Sequence, residues 1–524
     1  MAKKSLQQNT PARPANRVKR PPVVAVMGHI DHGKSTLLDY IRKTNIAGGE
    51  VGGITQRISA YEVVREKGVS ADGRGNTAEK TGAPERITFI DTPGHEAFSG
   101  MRERGAATAD IAILVVSAED GVKKQTVEAY KQISEAKIPM IVAINKIDKP
   151  SADIERTKIS LAENEIYLEG CGGSISYVPV SAITGAGMEE LLDLIILTAD
   201  VAELAGDTAK PAEGTVIEAH RDPKKGISAT LVVRDGFLET GMFVASGESY
   251  SPIRMIEDSQ GKKIASASFS SPVRIVGWNS APRIGGLFVT LPDRIELEKY
   301  LKETGEKKRN AVASPRAVTE ITDKKILPVI IKADVLGSVE AIEHEIKKIK
   351  SDRVAVKILF ASIGDITESD VKIAGSDRQT IILGFNVKTD SQAAAMIERL
   401  GLEHADFDII YKLAEWLTAK VIERTPKVAV EEMRGRAKIM RFFSRARDRQ
   451  IVGGKVTNGE IHTGDRVKII RRETIIGDGV IRELQQAKVK TAIINEGFEF
   501  GAMIEAKIEI APGDVLEDFT IVEK

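Results

Sequence analysis

The sequence predicts a multidomain chain of α/β plus β class. It should contain a doubly wound parallel sheet, two small β-barrels and a second small α/β domain. Three observations carry this. Near-continuous apolar runs alternate with helical patterns from residue 23 to about 204, and again from 327 to 411. That alternation is what a parallel sheet covered on both faces by crossover helices requires. Short alternating runs broken by Gly, Asp and Pro fill 215–291 with few helical signals, which describes a small antiparallel barrel. Residues 232–241 read as strand, turn and strand, with Asp-Gly and then Thr-Gly, and 455–464 repeat the form with Asn-Gly. A second, related barrel is therefore expected at 428–524.

The first domain, 22–205, is organised around one stretch. The apolar run 23–27 reads as a buried strand. Gly28 then opens a G-x-x-x-x-G-K-S pattern that Gly33, Lys34 and Ser35 close, and Thr36 begins a helical pattern. Strand, loop and helix in this order make a phosphate-binding loop. The backbone N–H groups of His29, Ile30, Asp31 and His32 converge on phosphate oxygens there, and the helix N-terminus adds positive partial charge. Lys34 is expected to reach the β- and γ-phosphates and Ser35 to hold magnesium. Further strands are expected at 86–91, 111–117, 139–145 and 177–181, with helices at 126–136 and 188–198. The polar, Gly-rich insert 67–84 reads as a partly ordered loop.

Three later elements sit at strand ends. Asp91-Thr92-Pro93-Gly94 supplies a carboxylate for magnesium and an N–H, that of Gly94, for the γ-phosphate. Asn145-Lys146-Ile147-Asp148 supplies a carboxylate that accepts both N1–H and N2–H of guanine, donors that adenine lacks. Ser181-Ala182 brings backbone toward the guanine carbonyl. Together these four elements describe a P-loop GTPase that takes GTP or GDP with Mg2+. His95 is the candidate catalytic residue, orienting the attacking water. Thr55 is placed to join the magnesium when a γ-phosphate is present. His29 and His32 have a metal-like spacing but lie inside the phosphate loop, so no zinc is expected.

The basic segment 1–21 has no acid and reads as a flexible tail. Residues 293–326 read as a linker helix and loop, 327–410 as the small α/β domain and 411–427 as a connecting helix. Strands are expected at 329–332, 354–360, 380–385 and 407–411, with helices at 339–350, 369–374 and 391–400. Ser338 and Thr367, the latter with Asp370 three residues on, read as helix N-caps. Lys plus Arg equals Asp plus Glu, at 75 each, so global charge names no nucleic-acid partner. The single cysteine, Cys171, fits a reducing compartment, and no apolar run approaches a membrane span. A cytoplasmic monomer is expected.

The motifs at 28–35, 52–55, 91–95 and 145–148 resemble those of bacterial translation initiation factor two. So do three stretches of the small α/β domain: 329–341, 366–370 and 382–387. The resemblance implies a ribosome-bound GTPase that recruits formylmethionyl initiator tRNA to the small subunit and promotes subunit joining. The ribosome (both subunits), initiator tRNA and other initiation factors are the implied partners. Hydrolysis is implied to be triggered by the large subunit through His95, and the last barrel to hold the formylmethionine and the acceptor end. That barrel departs from the family at two places. Phe500 stands where Cys is usual in Gly497-Phe498-Glu499-Phe500-Gly501, and Gln485-Gln486-Ala487 replace Lys-Arg-aromatic. The basic run 434–449, with Phe442 and Phe443 interleaved, is either an RNA contact or a solvated hairpin face. Two other readings stay open: a different translational GTPase, and a GTP-gated RNA-binding scaffold.

Overall fold

The computed structural model describes residues 17–42, 55–65, 84–311, 324–351, 353–425 and 429–523. The insert expected at 67–84 falls outside them, apart from Pro84, as do 1–16 of the basic tail. The chain forms two units, Met1–Arg424 and Thr425–Lys524.

In the first unit the leading domain runs β1 (Arg17–Lys19), β2 (Val23–Gly28), α1 (Lys34–Arg42), β3 (Ser59–Arg65), β4 (Glu85–Asp91), α2 (Ser99–Thr108), β5 (Ile111–Ser117), α3 (Lys124–Ala136), β6 (Met140–Asn145), α4 (Ile154–Glu163), β7 (Ser176–Pro179), α5 (Met188–Val201) and β8 (Ala205–Asp207). The six-stranded sheet has the order β3-β4-β2-β5-β6-β7, parallel throughout except for the antiparallel edge β3. Alternate residues of β2 serve opposite faces. Val24 and Val26 pack with Leu37, Leu38 and Leu191, while Ala25 and Met27 pack with Phe98, Met101 and Ala129. Helices on both faces are why β2 and β5 are apolar without a break. The chain leaves β2 for neighbours on either side, so the loops after β2, β4, β5 and β6 open at one edge. Ligands bind at such a switch point.

The basic tail is ordered from Arg17, which corrects the expectation of a flexible segment through residue 21. β1 pairs with β8. Arg20 is buried, and its guanidinium forks onto the Asp110 carboxylate at 2.6 and 2.5 Å. The same carboxylate accepts the Val23 N–H at 2.9 Å. A buried bidentate pair with its remaining valences satisfied is stable, and composition alone does not reveal the partner 90 residues away.

An eight-stranded antiparallel sheet follows, from Glu213–Asp222 to Leu287–Leu291. Asn279 N–H donates to Tyr250 O at 3.0 Å and curls it toward closure around one apolar core. The helix Arg294–Ala311 comes next. The small α/β domain is a four-stranded parallel sheet in the order Val354–Ile363, Lys325–Ala333, Ile381–Phe385, Glu403–Phe407. Its last strand lies earlier than the expected 407–411. Pairing with Ile381–Phe385 takes Glu403–Phe407, and Ile410 already belongs to the helix Ile410–Glu423, whose buried face is Ile410, Leu413, Leu417 and Val421. Thr367 and Asp370 form the expected capping box. Ser338 is not an N-cap: the helix Leu336–Lys348 begins before it and buries it.

These three domains share one hydrophobic cluster that includes Phe98, Met101, Ile217, Val339 and Leu413. At their junction the Glu218 carboxyl accepts N–H bonds from Ala219 at 2.9 Å and Gly337 at 3.3 Å. Burial pushes its pKa up to about 8. A Cβ at Gly337 would lie 2.2 Å from the Met101 methyl, so a side chain there would displace the end of Met101.

The second unit is a closed barrel. Its strands run Ala429–Ala446, Val515–Glu523, Arg466–Arg471, Thr474–Gln486, Glu499–Ala506 and Arg449–His462, and the last pairs again with the first. The Asn-Gly expected to turn the chain here does not: Arg449–His462 runs straight through it, with Gly459 at φ 69° opposite Gly435. In the first barrel Gly236 does separate two strands.

Candidate nucleotide-binding site

The loop after β2 winds through a single 3₁₀ turn, Ile30–His32, before α1 begins at Lys34. Lys34 is buried, and its ammonium donates to His29 O at 2.7 Å, inside the curl of the loop. Burial lowers its pKa to about 8, and the Asp91 carboxylate offsets part of that effect. A desolvated ammonium of this kind is a seat prepared for an anion. Asp91 ends β4, in register with Val26, and the Thr92 hydroxyl donates to Val26 O at 2.7 Å. Gly94 packs so close that a Cβ there would lie 2.5 Å from Lys34 Nζ and 2.9 Å from Ile30 N. Its main chain therefore borders the space the lysine addresses. Pro93 and Gly94 are buried with it.

The Ser35 and Thr55 hydroxyls meet at 2.7 Å. With the Asp91 carboxylate they give three hard oxygen donors, the ligand class that suits magnesium. The fold thus brings Thr55 to Ser35 although they are 20 positions apart in sequence. Thr36, one residue further on α1, is exposed.

Asn145 ties the base side to the phosphate side. Its amide donates to His32 O at 2.9 Å and accepts from Ala182 N–H at 3.1 Å. Asp148 is exposed, and Ser181 Oγ donates to its carboxylate at 2.7 Å. That bond is the main reason its pKa is held below the usual carboxylate range. A fixed, ionised carboxylate beside Lys146 and Ala182 can accept two N–H bonds from a purine edge. His32 is a core residue: its Nδ1 lies 3.3 Å from Val115 O, and burial lowers its pKa to about 3.

His95 is buried. Its Nδ1 accepts from Ala97 N–H at 2.8 Å, and burial holds its pKa near 4. Two rings bracket it: Phe98, and Tyr411 with centroids 4.0 Å apart at 83°. Sequence reasoning placed His95 here but missed its enclosure.

It also missed two supports. The Gln125 amide oxygen accepts from Ile30 N–H at 3.2 Å and meets His29 Nδ1. Arg102 is fully buried and donates to Pro93 O at 3.2 Å and to His95 O, with Glu128 as its counter-ion. It thereby fixes the main chain on both sides of Gly94. Neither residue lies in a motif, and in one dimension an arginine on a helix reads as surface. Arg102→Met is expected to lower unfolding free energy by about 3–5 kcal/mol, since it strands Glu128 and two carbonyls. Urea titration measures this.

In the second unit Gln485, Glu499, Phe500 and Gly501 line one groove of about 400 Å³ with Arg441 and Phe443. Gln486 and Gly497 are not part of that lining. Phe500 is mostly buried in the barrel core. The basic run lies on the strand Ala429–Ala446 and the start of the next. Arg434 pairs with Asp465 at 2.8 Å and Arg436 with Glu517 at 2.6 Å, so part of its charge is neutralised within the barrel. Among the described residues no group of three or more His, Cys, Asp or Glu could hold a metal ion, and no helix is long and apolar enough to cross a membrane.

Comparisons with known proteins bear on this site. Residues 19–200 match the family model described as elongation factor Tu GTP binding domain, 211–291 that of elongation factor G domain 2, and 302–418 that of translation-initiation factor 2. The protein called translation initiation factor IF-2 in Carboxydothermus hydrogenoformans is 38% identical over 99% of this chain, which spans 62% of that protein. The protein of the same name in Rubrobacter xylanophilus is 39% identical over 97% of this chain, which spans 73% of it. A solved structure of GDP-bound aIF5B from Aeropyrum pernix aligns at 27% identity over 96% of this chain and 92% of that one, with a TM-score of 0.46.

Proposed function

This chain belongs to the translation initiation factor IF-2 family, and we propose that it is a GTPase of translation initiation. In this reading it binds GTP and GDP at the edge formed by the loops after β2, β4 and β6. The single observation that carries the reading is the seating of Lys34: a buried ammonium, inside a curl of main-chain amides, bordered by Gly94 and Asp91. Ser35, Thr55 and Asp91 would hold magnesium, which would balance phosphate charge. Asp148, with Lys146, Ser181 and Ala182 around it, would select guanine. His95 would orient the attacking water once its ring is uncovered.

The recruitment of formylmethionyl initiator tRNA to the small ribosomal subunit, and the joining of the large one, are part of the same proposal. The groove beside Gln485, Glu499 and Phe500 supports a role for the second unit in holding the acceptor end. Phe500 and the uncharged Gln485 in it predict weaker discrimination of the formyl group than in relatives with cysteine and a basic residue at those positions. The chain would act in the cytoplasm as a monomer, alongside the other initiation factors.

The test is turnover. GTP hydrolysis should be slow alone and rise steeply with ribosomes, while ATP is neither bound nor hydrolysed. Equal use of ATP and GTP would sink the base assignment, and equal turnover with and without ribosomes would favour a GTP-gated scaffold.

A further inference from the structure

The two segments that would sense a γ-phosphate both run against the same short stretch of the small α/β domain. Gln56, next to Thr55, donates from its side-chain amide to Asp408 O at 2.8 Å and accepts from Ile410 N–H at 3.3 Å. It thus uses both ends of its amide on the turn that opens the helix Ile410–Glu423. The next residue of that helix, Tyr411, lies edge-on to His95. Glu96, which follows His95, pairs with Lys348 of the helix Leu336–Lys348 at 3.0 Å. Arg57, which follows Gln56, pairs with Asp334. Four consecutive-neighbour contacts, two on each segment, fall on one domain within one compact unit.

We propose that the small α/β domain is a brake on hydrolysis, and that Tyr411 is the residue through which it acts on His95. The inference rests on the GTPase reading above and adds a regulatory partner to the same site. The reasoning is steric. His95 is enclosed, and its Nδ1 is already taken by Ala97 N–H. To offer Nδ1 to a water the ring must give up that bond and swing out of its packing between Phe98 and Tyr411. Whatever separates the 408–411 turn from the leading domain releases His95 and, through Gln56, loosens the segment that carries Thr55. Tyr411 is a positioning residue here, not a catalytic one. Tyr411 is 43% exposed, so truncation is compatible with folding.

The experiment uses the full chain. Tyr411→Ala should raise ribosome-free GTP turnover by about three- to tenfold, the statistical weight of one aromatic contact. The change should fall in kcat with KM for GTP unaltered. Carbethoxylation of His95 by diethyl pyrocarbonate, followed by peptide mass mapping, should speed up in parallel. Tyr411→Phe should behave like the unaltered protein, because the ring and not the hydroxyl makes the contact. Adding His95→Ala to Tyr411→Ala should abolish the gain. Unchanged turnover in Tyr411→Ala overturns the proposal, whether or not His95 labelling changes. A gain that survives His95→Ala overturns it too. If the unaltered protein hydrolyses no GTP even with ribosomes, the GTPase reading fails and the brake falls with it, a result distinct from the others.

Discussion

Replacing His95 by alanine is expected to reduce ribosome-stimulated GTP hydrolysis by about 10²- to 10⁴-fold, the contribution of one well-placed side chain to proton or water positioning. GTP affinity should be unchanged. The side chain supports neither the loop around Lys34 nor the carboxylate at Asp148; it bonds Ala97 N–H and packs between Phe98 and Tyr411. Loss of the Ala97 bond should cost about 1 kcal/mol of stability, small enough to leave the fold intact. Phosphate release measured with and without ribosomes, beside an equilibrium GTP titration, separates the two effects. Undiminished stimulated turnover would remove His95 from the chemistry.

The second large effect is expected at the base. Asp148→Asn should weaken GTP binding by on the order of 10⁴-fold and favour xanthine nucleotides, because a site built to accept N–H bonds then presents a donor to a donor. The geometry makes this a clean test. An asparagine oxygen can still accept from Ser181 Oγ, as the carboxylate does at 2.7 Å. Asn145 continues to join the phosphate loop to Ala182. The shape of the site survives and only its hydrogen-bond sense changes. Competition between GTP and XTP reads the result, and retained guanine affinity would place base recognition elsewhere.

The motif residues were legible because their chemistry is local. A glycine-rich turn between a buried strand and a helix is a statement about a few consecutive residues, and so is a carboxylate at a strand end. Legibility failed where the partner is remote. The tail reads as flexible in sequence because nothing near Arg20 suggests Asp110. The last strand of the small domain lies earlier than the sequence suggests because the apolar side chains of Phe407, Ile409, Ile410 and Tyr411 suit either period, and pairing with Ile381–Phe385 decides the register. Ser338 looked like a cap because caps are judged from neighbours, while the helix had already begun at Leu336.

By itself the sequence determined where strand-helix alternation gives way to short antiparallel strands, the strand-loop-helix that seats Lys34, and which residues are candidates for phosphate and guanine contact. Those follow from hydrophobic period and from short-range backbone geometry, which a linear chain carries explicitly. Only the tertiary structure decided that Arg102 and Gln125 hold the loops, and that Gln56 and Tyr411 join the nucleotide edge to a domain more than 300 positions away. Such contacts have no periodicity. They exist because packing three domains around one apolar core brings distant side chains within hydrogen-bonding and ring-contact range.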